Sequence, residues 1–528
     1  MIQVIGAGLA GLSAAIRLAE QGIACSLISA QPSERAQSVL AEGGINAALD
    51  TMGEGDSPAE HFADTVRGGC ALADETAVRG LCDHAPEILK RLTGYGVPFN
   101  MRGGKLLLRN FGGQKKKRTA YARSSTGKII MTALIDEARK YESAGLIRRF
   151  PHHECLRLLT EGGACIGVRI RDSFTGALTD HFGSVILCSG GMNGLFPGMT
   201  TGTTQNTGDL TAAAFCAGVR LANPEMIQYH PTTVGISGKR CLVTEAARGE
   251  GGRLCILRSG RPWYFMEEKY PELGNLMPRD VVAREMFFVR QRQDTEGSVL
   301  LDLTALSGDV WKHRLSDLRE ELLHYLSLDP KQTPIPVQEG IHYFMGGIEA
   351  DPMHRTSLCG LFAAGECCAQ YHGANRLGGN SMLGAVYGGT VAAESAAALP
   401  GPDRQSERCT AEEPHTTPAD PAFCADLRDI LLSGLGIVRS ADTIRAALDR
   451  LYALSNERAY NMREQNRLHL AEAMLLAAEV RHESRGAHYR ADFPQTDPAF
   501  RKTASAEFAD GAVRITFRAL PEEGELCG

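Results

Sequence analysis

The six residues Gly6-Ala7-Gly8-Leu9-Ala10-Gly11 carry the most specific chemistry that spacing alone reveals in this chain. Glycine main chain can approach a diphosphate closely, and a following helix N-terminus offers unpaired N–H groups and positive potential. The residues IQVI at 2–5 read as a buried strand, and Leu12, Ala15, Ile16 and Leu18 mark one face of a helix. A second apolar run, Ala24 to Ile28, follows Gly22. Strand, glycine turn, helix and strand in succession form the context that a dinucleotide-binding GxGxxG requires. The acidic ribose contact usual at the end of the second strand is replaced by Ser29. Farther on, Glu245 and Arg248 stand three residues apart in TEAAR, which one helical turn would bring to one side. The fifteen cysteines contain no CxxC, and Cys367 and Cys368 are adjacent, too close for a chelating loop. Zinc and iron–sulfur sites need clustered thiolates, so no metal site is expected in this chain.

These residues must be positioned by a large fold. A length of 528 residues allows several domains, and 43% hydrophobic with 22% charged residues is ordinary globular composition. Fifty-six Lys and Arg against 62 Asp and Glu leave a net charge of -6, which lacks the basic footprint of a nucleic-acid binder. Strand-like runs at Ala164–Ile170, Ser184–Cys188 and Gly360–Ala364 extend the αβ alternation. The expectation is an α/β chain: a doubly wound, Rossmann-like domain over 1–222 and 347–402, its later strands drawn from distant parts of the sequence. Residues 223–346, richer in prolines, aromatics and charges, read as an inserted α+β capping domain with helices at Val281–Arg290 and Leu315–Leu326. Five prolines between 399 and 421 mark a linker. Residues 403–528 read as a C-terminal helical domain, with helical periodicity over Leu427–Leu454 and Asn456–Arg481. The uncharged stretch Leu377 to Ala393 holds five glycines and is a poor membrane span, and the first sixteen residues lack a basic leader segment. A cytoplasmic protein is expected.

Ordered motifs across the chain carry a family resemblance. They include the SVLAEGGIN run from Ser38, Phe111-Gly112-Gly113-Gln114, Thr207-Gly208-Asp209, His230-Pro231-Thr232 and the LVTEAARGEGG run from Leu242. Arg279-Asp280-Val281-Val282-Ala283-Arg284, the HYFMGG run from His342, the GANRLGGNS run from Gly373 and the ESRGAH run from Glu483 complete the set. In these the chain resembles the flavoprotein subunits of the succinate dehydrogenase/fumarate reductase family, and more distantly L-aspartate oxidase. Ser29 fits that family.

The resemblance implies FAD. Gly6, Ala7, Gly8, Gly11 and Ser29 would serve its dinucleotide part, and Gln37, Ser38, Gly43 and Gly44 would line the flavin. Asp209 and Glu366 would hold adenosine and ribityl hydroxyls, with Ser381 and Leu383 approaching the ring. Respiratory members attach FAD to a histidine; the residue here is Gln37, which is no nucleophile, so the flavin is expected to be non-covalent. The resemblance further assigns His230 with Thr244, and His342 with Arg376, to the two carboxylates of a fumarate or succinate dianion. Arg376 can form a bidentate fork on one of them. Arg279 matches the family's proton donor, recharged through Glu245 and Arg248. A guanidinium is a weak acid, but the carbon left after hydride arrival is basic enough to take its proton.

L-aspartate oxidase is the alternative. The oxidase resembles Glu-Gly-Gly where this chain has Phe111-Gly112-Gly113, and Leu-Ala-Ser-Asn where this chain has GANRLGGNS; LVTEAARGEGG lies between the two. Phe111 is thus an expected apolar wall of a dicarboxylate site. With no haem or iron–sulfur motif, electrons are expected from a partner. The resemblance implies an iron–sulfur subunit and a quinone-reactive membrane anchor, placing the protein on the inner face of the cell membrane. Lys115-Lys116-Lys117-Arg118 reads as a solvated loop, and Cys367-Cys368 as small buried residues.

Overall fold

The computed structural model describes residues 1–520 apart from 124, 400, 402–403 and 411–412. The expected boundary between 402 and 403 therefore lies outside the described residues. Five parallel strands form the central sheet, in the order Leu361–Ala363, Val185–Leu187, Ile2–Ile5, Cys25–Ser29 and Ile147–Pro151. Val4 sits opposite both Ile186 and Leu27, so the first strand of the chain is the middle of the sheet. Apolar residues such as Val4, Leu27 and Ile186 are almost wholly buried, as a parallel sheet covered on both faces requires.

The glycine turn is fixed by sterics. Gly6 has φ +106°, and a side chain there would come within 2.1 Å of the Cys188 carbonyl oxygen. A side chain at Gly11 would meet the Gly6 carbonyl at 1.7 Å, so the third glycine lets the helix Leu9–Glu20 lie against its own entering strand. That helix packs on a second long helix, Asn380–Ala397, and both are rich in Ala and Gly on the contact.

The run Ala164–Ile170 is a strand, but it does not join the parallel sheet. It belongs to Ala164–Asp172, paired antiparallel with His153–Glu161 and Leu178–Phe182 in a separate meander. Between 223 and 346 the chain builds two antiparallel sheets, one centred on Ile227–Ile236 and one on Arg253–Arg258 with Thr295–Asp302. Their own core includes Leu254, Met266, Val282, Met286 and Trp311, joined by Phe111 from earlier in the chain. Helices occupy Arg279–Arg290 and Ser316–Leu326.

The C-terminal region is helical over Pro421–Gly434, Ala441–Glu457 and Met462–Val480. The expected helix across 427–454 is broken because Ser440 and Thr443 form a capping box that starts a new one. The region also holds a hairpin, Lys502–Ala509 with Ala512–Ala519, that pairs with Leu221–Ala222. Its two-residue turn is Asp510-Gly511, both at positive φ, the geometry that matches strand twist. Among the described residues no helix is long and apolar enough to cross a membrane.

Candidate active site

A cavity of about 500 Å³ runs from the glycine turn to the antiparallel sheet centred on Ile227–Ile236. Gly6, Ala7, Gly8, Ser29, Gln37, Ser38, Gly43 and Gly44 line one stretch of it. Asp209, Glu366 and Ser381 also face it, and Phe111, His230, Thr244, Glu245, Arg279, His342 and Arg376 line the far end. Three expected site residues do not line it. Gly11 serves the helix–strand contact, Leu383 is buried in the core between the helices, and Arg248 stands behind Glu245.

The glycine end fits a dinucleotide. Helix Leu9–Glu20 has no acidic residue in its first turn, so the positive N-terminus is left for an anion. Gly8 is extended there, and Ser38 Oγ accepts the Leu9 N–H at 3.2 Å, leaving other main-chain donors toward the cavity. Ser29 donates its hydroxyl to the Gln31 carbonyl at 2.7 Å. Gln37 Oε1 accepts the Thr203 N–H at 2.5 Å and so ties two walls together. Asp209 is held by Arg467 at 2.5 Å and Arg463 at 3.2 Å, so any hydroxyl it binds shares the carboxylate with two guanidiniums. Glu366 accepts the Phe344 N–H at 3.2 Å, and burial pushes its carboxyl up to about 7.

At the far end His230, His342 and Arg376 converge. The rings of His230 and His342 lie 5.0 Å apart. Burial, the nearby guanidiniums and, for His342, the other ring hold both well below the ordinary histidine range, so both are neutral. His230 Nε2 and Arg376 Nε are buried without a hydrogen-bond partner. Arg376 lies 4.4 Å over the Tyr343 ring and pairs with no carboxylate among the described residues. Burial, reinforced by Arg279, lowers its guanidinium to about 9. A buried cation and an orphaned imidazole nitrogen facing one cavity are costly unless an anion completes them.

Arg279 opens its helix and reaches back to Glu245, with Nη2 at 2.5 Å and Nε at 2.9 Å from Oε2. Glu245 Oε1 accepts the Gly112 N–H at 3.1 Å and faces Arg248 Nη2 at 3.4 Å. Burial alone would raise the Glu245 carboxyl, but Arg279 and Arg248 hold it at about 2. Arg248 continues to the Asn275 carbonyl at 2.6 Å.

Several residues of the site carry no signal that the sequence reading used. Gln228 accepts from Arg279 at 3.1 Å through Oε1 and donates to the Arg376 carbonyl at 2.8 Å, joining the two arginines. Glu42 hydrogen-bonds Thr244, and burial, then Glu321, push it up to about 8. Its place before Gly43-Gly44 was the available clue. Of the basic run, Lys117 pairs with Glu54 at the surface, whereas Arg118 is fully buried between Asp56 and Asp64. Cys367 and Cys368 are buried.

A family model described as FAD binding domain matches residues 2–382, and one described as fumarate reductase flavoprotein C-term matches 424–523. The succinate dehydrogenase flavoprotein subunit of Bacillus subtilis (strain 168) is 38% identical over 96% of this chain and 93% of its own length. The L-aspartate oxidase of Streptomyces coelicolor is 33% identical, over 94% of this chain and 89% of its own length. A chain of E. coli quinol fumarate reductase superposes with a TM-score of 0.87 at 29% identity, covering 99% of this chain and 97% of that one. Fold and cavity together define an FAD-dependent oxidoreductase. The chain belongs to the succinate dehydrogenase/fumarate reductase flavoprotein subunit family.

Proposed function

We propose that this protein interconverts fumarate and succinate, with Arg279 as the proton donor in the reducing direction. The observation that carries the reading is that Arg376, its Nε without a hydrogen-bond partner and no carboxylate paired with it among the described residues, shares one buried cavity with the partnerless His230 Nε2. A dianion with a carboxylate at each end satisfies both. Arg376 and His342 grip one carboxylate, and His230 and Thr244 grip the other. When bound, FAD supplies the hydride chemistry. Reduction then adds a hydride at one alkene carbon and a proton from Arg279 at the other. The neutral guanidine is recharged through Glu245 from Arg248, each within ion-pair distance of the next. Phe111, 2% exposed, excludes water and offers an apolar wall to the flat alkene.

With Gln37 where respiratory members carry the nucleophilic histidine, FAD is held without a covalent bond, and fumarate reduction is the favoured direction. Electrons come from a partner, and an iron–sulfur subunit, with a quinone-reactive membrane anchor beyond it, suits the family. The L-aspartate oxidase reading needs an ionised carboxylate for the substrate ammonium. Phe111 provides none, Glu42, held up near 8, is neutral at neutral pH, and the ionised Glu245 is already paired with Arg279 and Arg248.

The test is a titration of the FAD-loaded protein followed by flavin absorbance. Fumarate and succinate should perturb the spectrum saturably, and crotonate, with one carboxylate, should bind at least about a hundredfold more weakly, because it leaves one set of donors unpaired. Equal affinity for crotonate would contradict two-ended recognition.

A further inference from the structure

Both cavity histidines are neutral, so each can donate only from the nitrogen that carries its proton. Around His230 Nδ1 the main chain offers both a donor, the Thr232 N–H at 3.2 Å, and an acceptor, the Thr232 carbonyl at 3.1 Å, while Nε2 is buried and partnerless. The setting of His342 is simpler. Its Nδ1 lies 2.7 Å from the Thr201 hydroxyl.

A hydroxyl can either give or take this hydrogen bond, but its surroundings choose. If Nδ1 donated, the hydroxyl proton would have to turn to the Ile341 carbonyl, 3.5 Å away. That carbonyl also accepts the Thr201 N–H at 2.9 Å, so the hydroxyl would add only a second bond, long and weak. If the hydroxyl donates, the short contact is used and nothing is lost. We infer that Thr201 is a positioning residue: its hydroxyl donates to His342 Nδ1 and thereby reserves the Nε2 proton for the ligand.

The segment is built to hold that hydroxyl still. Thr200 bridges Ile341, its Oγ1 accepts Asn193 Nδ2 at 2.8 Å and the Gly202 N–H at 3.0 Å, and Gln37 clasps Thr203. Without the Thr201 hydroxyl, His342 could place its proton on Nδ1 and turn a lone pair toward a carboxylate, replacing an attraction by a repulsion. The kinetic consequence rests on the dicarboxylate reading above; the tautomer does not.

The experiment labels histidine with ¹⁵N in the FAD-loaded protein and assigns His342 by its loss in His342→Gln. The wild type should show His342 protonated at Nε2 and hydrogen-bonded, unprotonated, at Nδ1. Thr201→Val should populate the Nδ1–H form and raise KM for fumarate about 10- to 100-fold, the worth of a hydrogen bond to a charged group, with kcat changed far less. Thr201→Ser should restore both. If Thr201→Val does not fold, the wild-type spectrum and Thr201→Ser still decide. A wild-type His342 protonated at Nδ1 would overturn the assignment, as would a Thr201→Val protein with wild-type tautomer and KM. Absence of fumarate turnover in the wild type, with the Nε2–H tautomer present, would remove the substrate reading while supporting the role of Thr201.

Discussion

Arg279 Nη2 lies 2.5 Å from Glu245 Oε2, while Glu245 Oε1 faces Arg248 Nη2 at 3.4 Å. One carboxylate thus bridges two guanidiniums, and only the first of them lines the cavity. The exposure is one-sided: Arg279 faces the cavity, and Arg248 stands behind Glu245.

Arg279→Lys should lower kcat for fumarate by about 10² to 10⁴-fold, the usual worth of a positioned acid. KM should change little, because the proton is needed only as the barrier is crossed. Steady-state kinetics check this. A variant with normal kcat and raised KM would make Arg279 a binding residue.

Arg376→Ala should behave oppositely. On the proposed reading it removes the buried partner of one substrate carboxylate, a loss of about 3 kcal/mol or more, hence upwards of a hundredfold in dissociation constant. Fumarate titration of the flavin absorbance reads it out. An unchanged dissociation constant would remove Arg376 from the grip.

The pH dependence of dicarboxylate binding follows from three displaced groups, the first of them Glu366, whose carboxyl near 7 adds a negative charge to the cavity as pH rises. Glu42, raised to about 8, is a neutral donor below that pH and an anion beside a dianion above it, so affinity should fall as pH rises through about 8. Arg376, lowered to about 9, loses its charge next and steepens the fall. Glu245, at about 2, stays ionised throughout this range and adds no limb. Glu42→Gln should remove the step near 8 and leave those near 7 and 9. A profile unchanged by Glu42→Gln would assign the limb elsewhere.

The flavin should leave the protein on acid precipitation, because Gln37 offers no nucleophile. Yellow colour or fluorescence that stays with the polypeptide in a denaturing gel would show covalent attachment.

The legible parts of this molecule are those whose chemistry is local. Gly6 and Gly11 announce a turn because sterics there depend on neighbours in sequence and on one adjoining strand. The pairing of Glu245 with Arg248 follows from i, i+3 spacing. The sheet to which Ala164–Ile170 belongs was not legible, because an apolar strand looks alike in a parallel sheet and in an antiparallel meander. The hairpin at 502–519 was legible in principle through Asp510-Gly511 and the alternation around it. Gln228 and Thr201 were not, since a single polar residue gains its meaning only from what the fold sets opposite it. Leu383 shows the converse: it stands beside a cavity-lining residue, but the helix turns its side chain into the core.

The central claim is two-ended binding of a flat dianion that is then reduced. The most direct measurement gives the isolated FAD-loaded protein fumarate with reduced viologen under anaerobic conditions, beside L-aspartate under air with peroxide detection. The account predicts viologen oxidation that depends on fumarate and is lost in Arg279→Lys, with little or no aspartate-dependent peroxide. Robust peroxide release with L-aspartate, at a rate comparable to or above fumarate reduction, would contradict it.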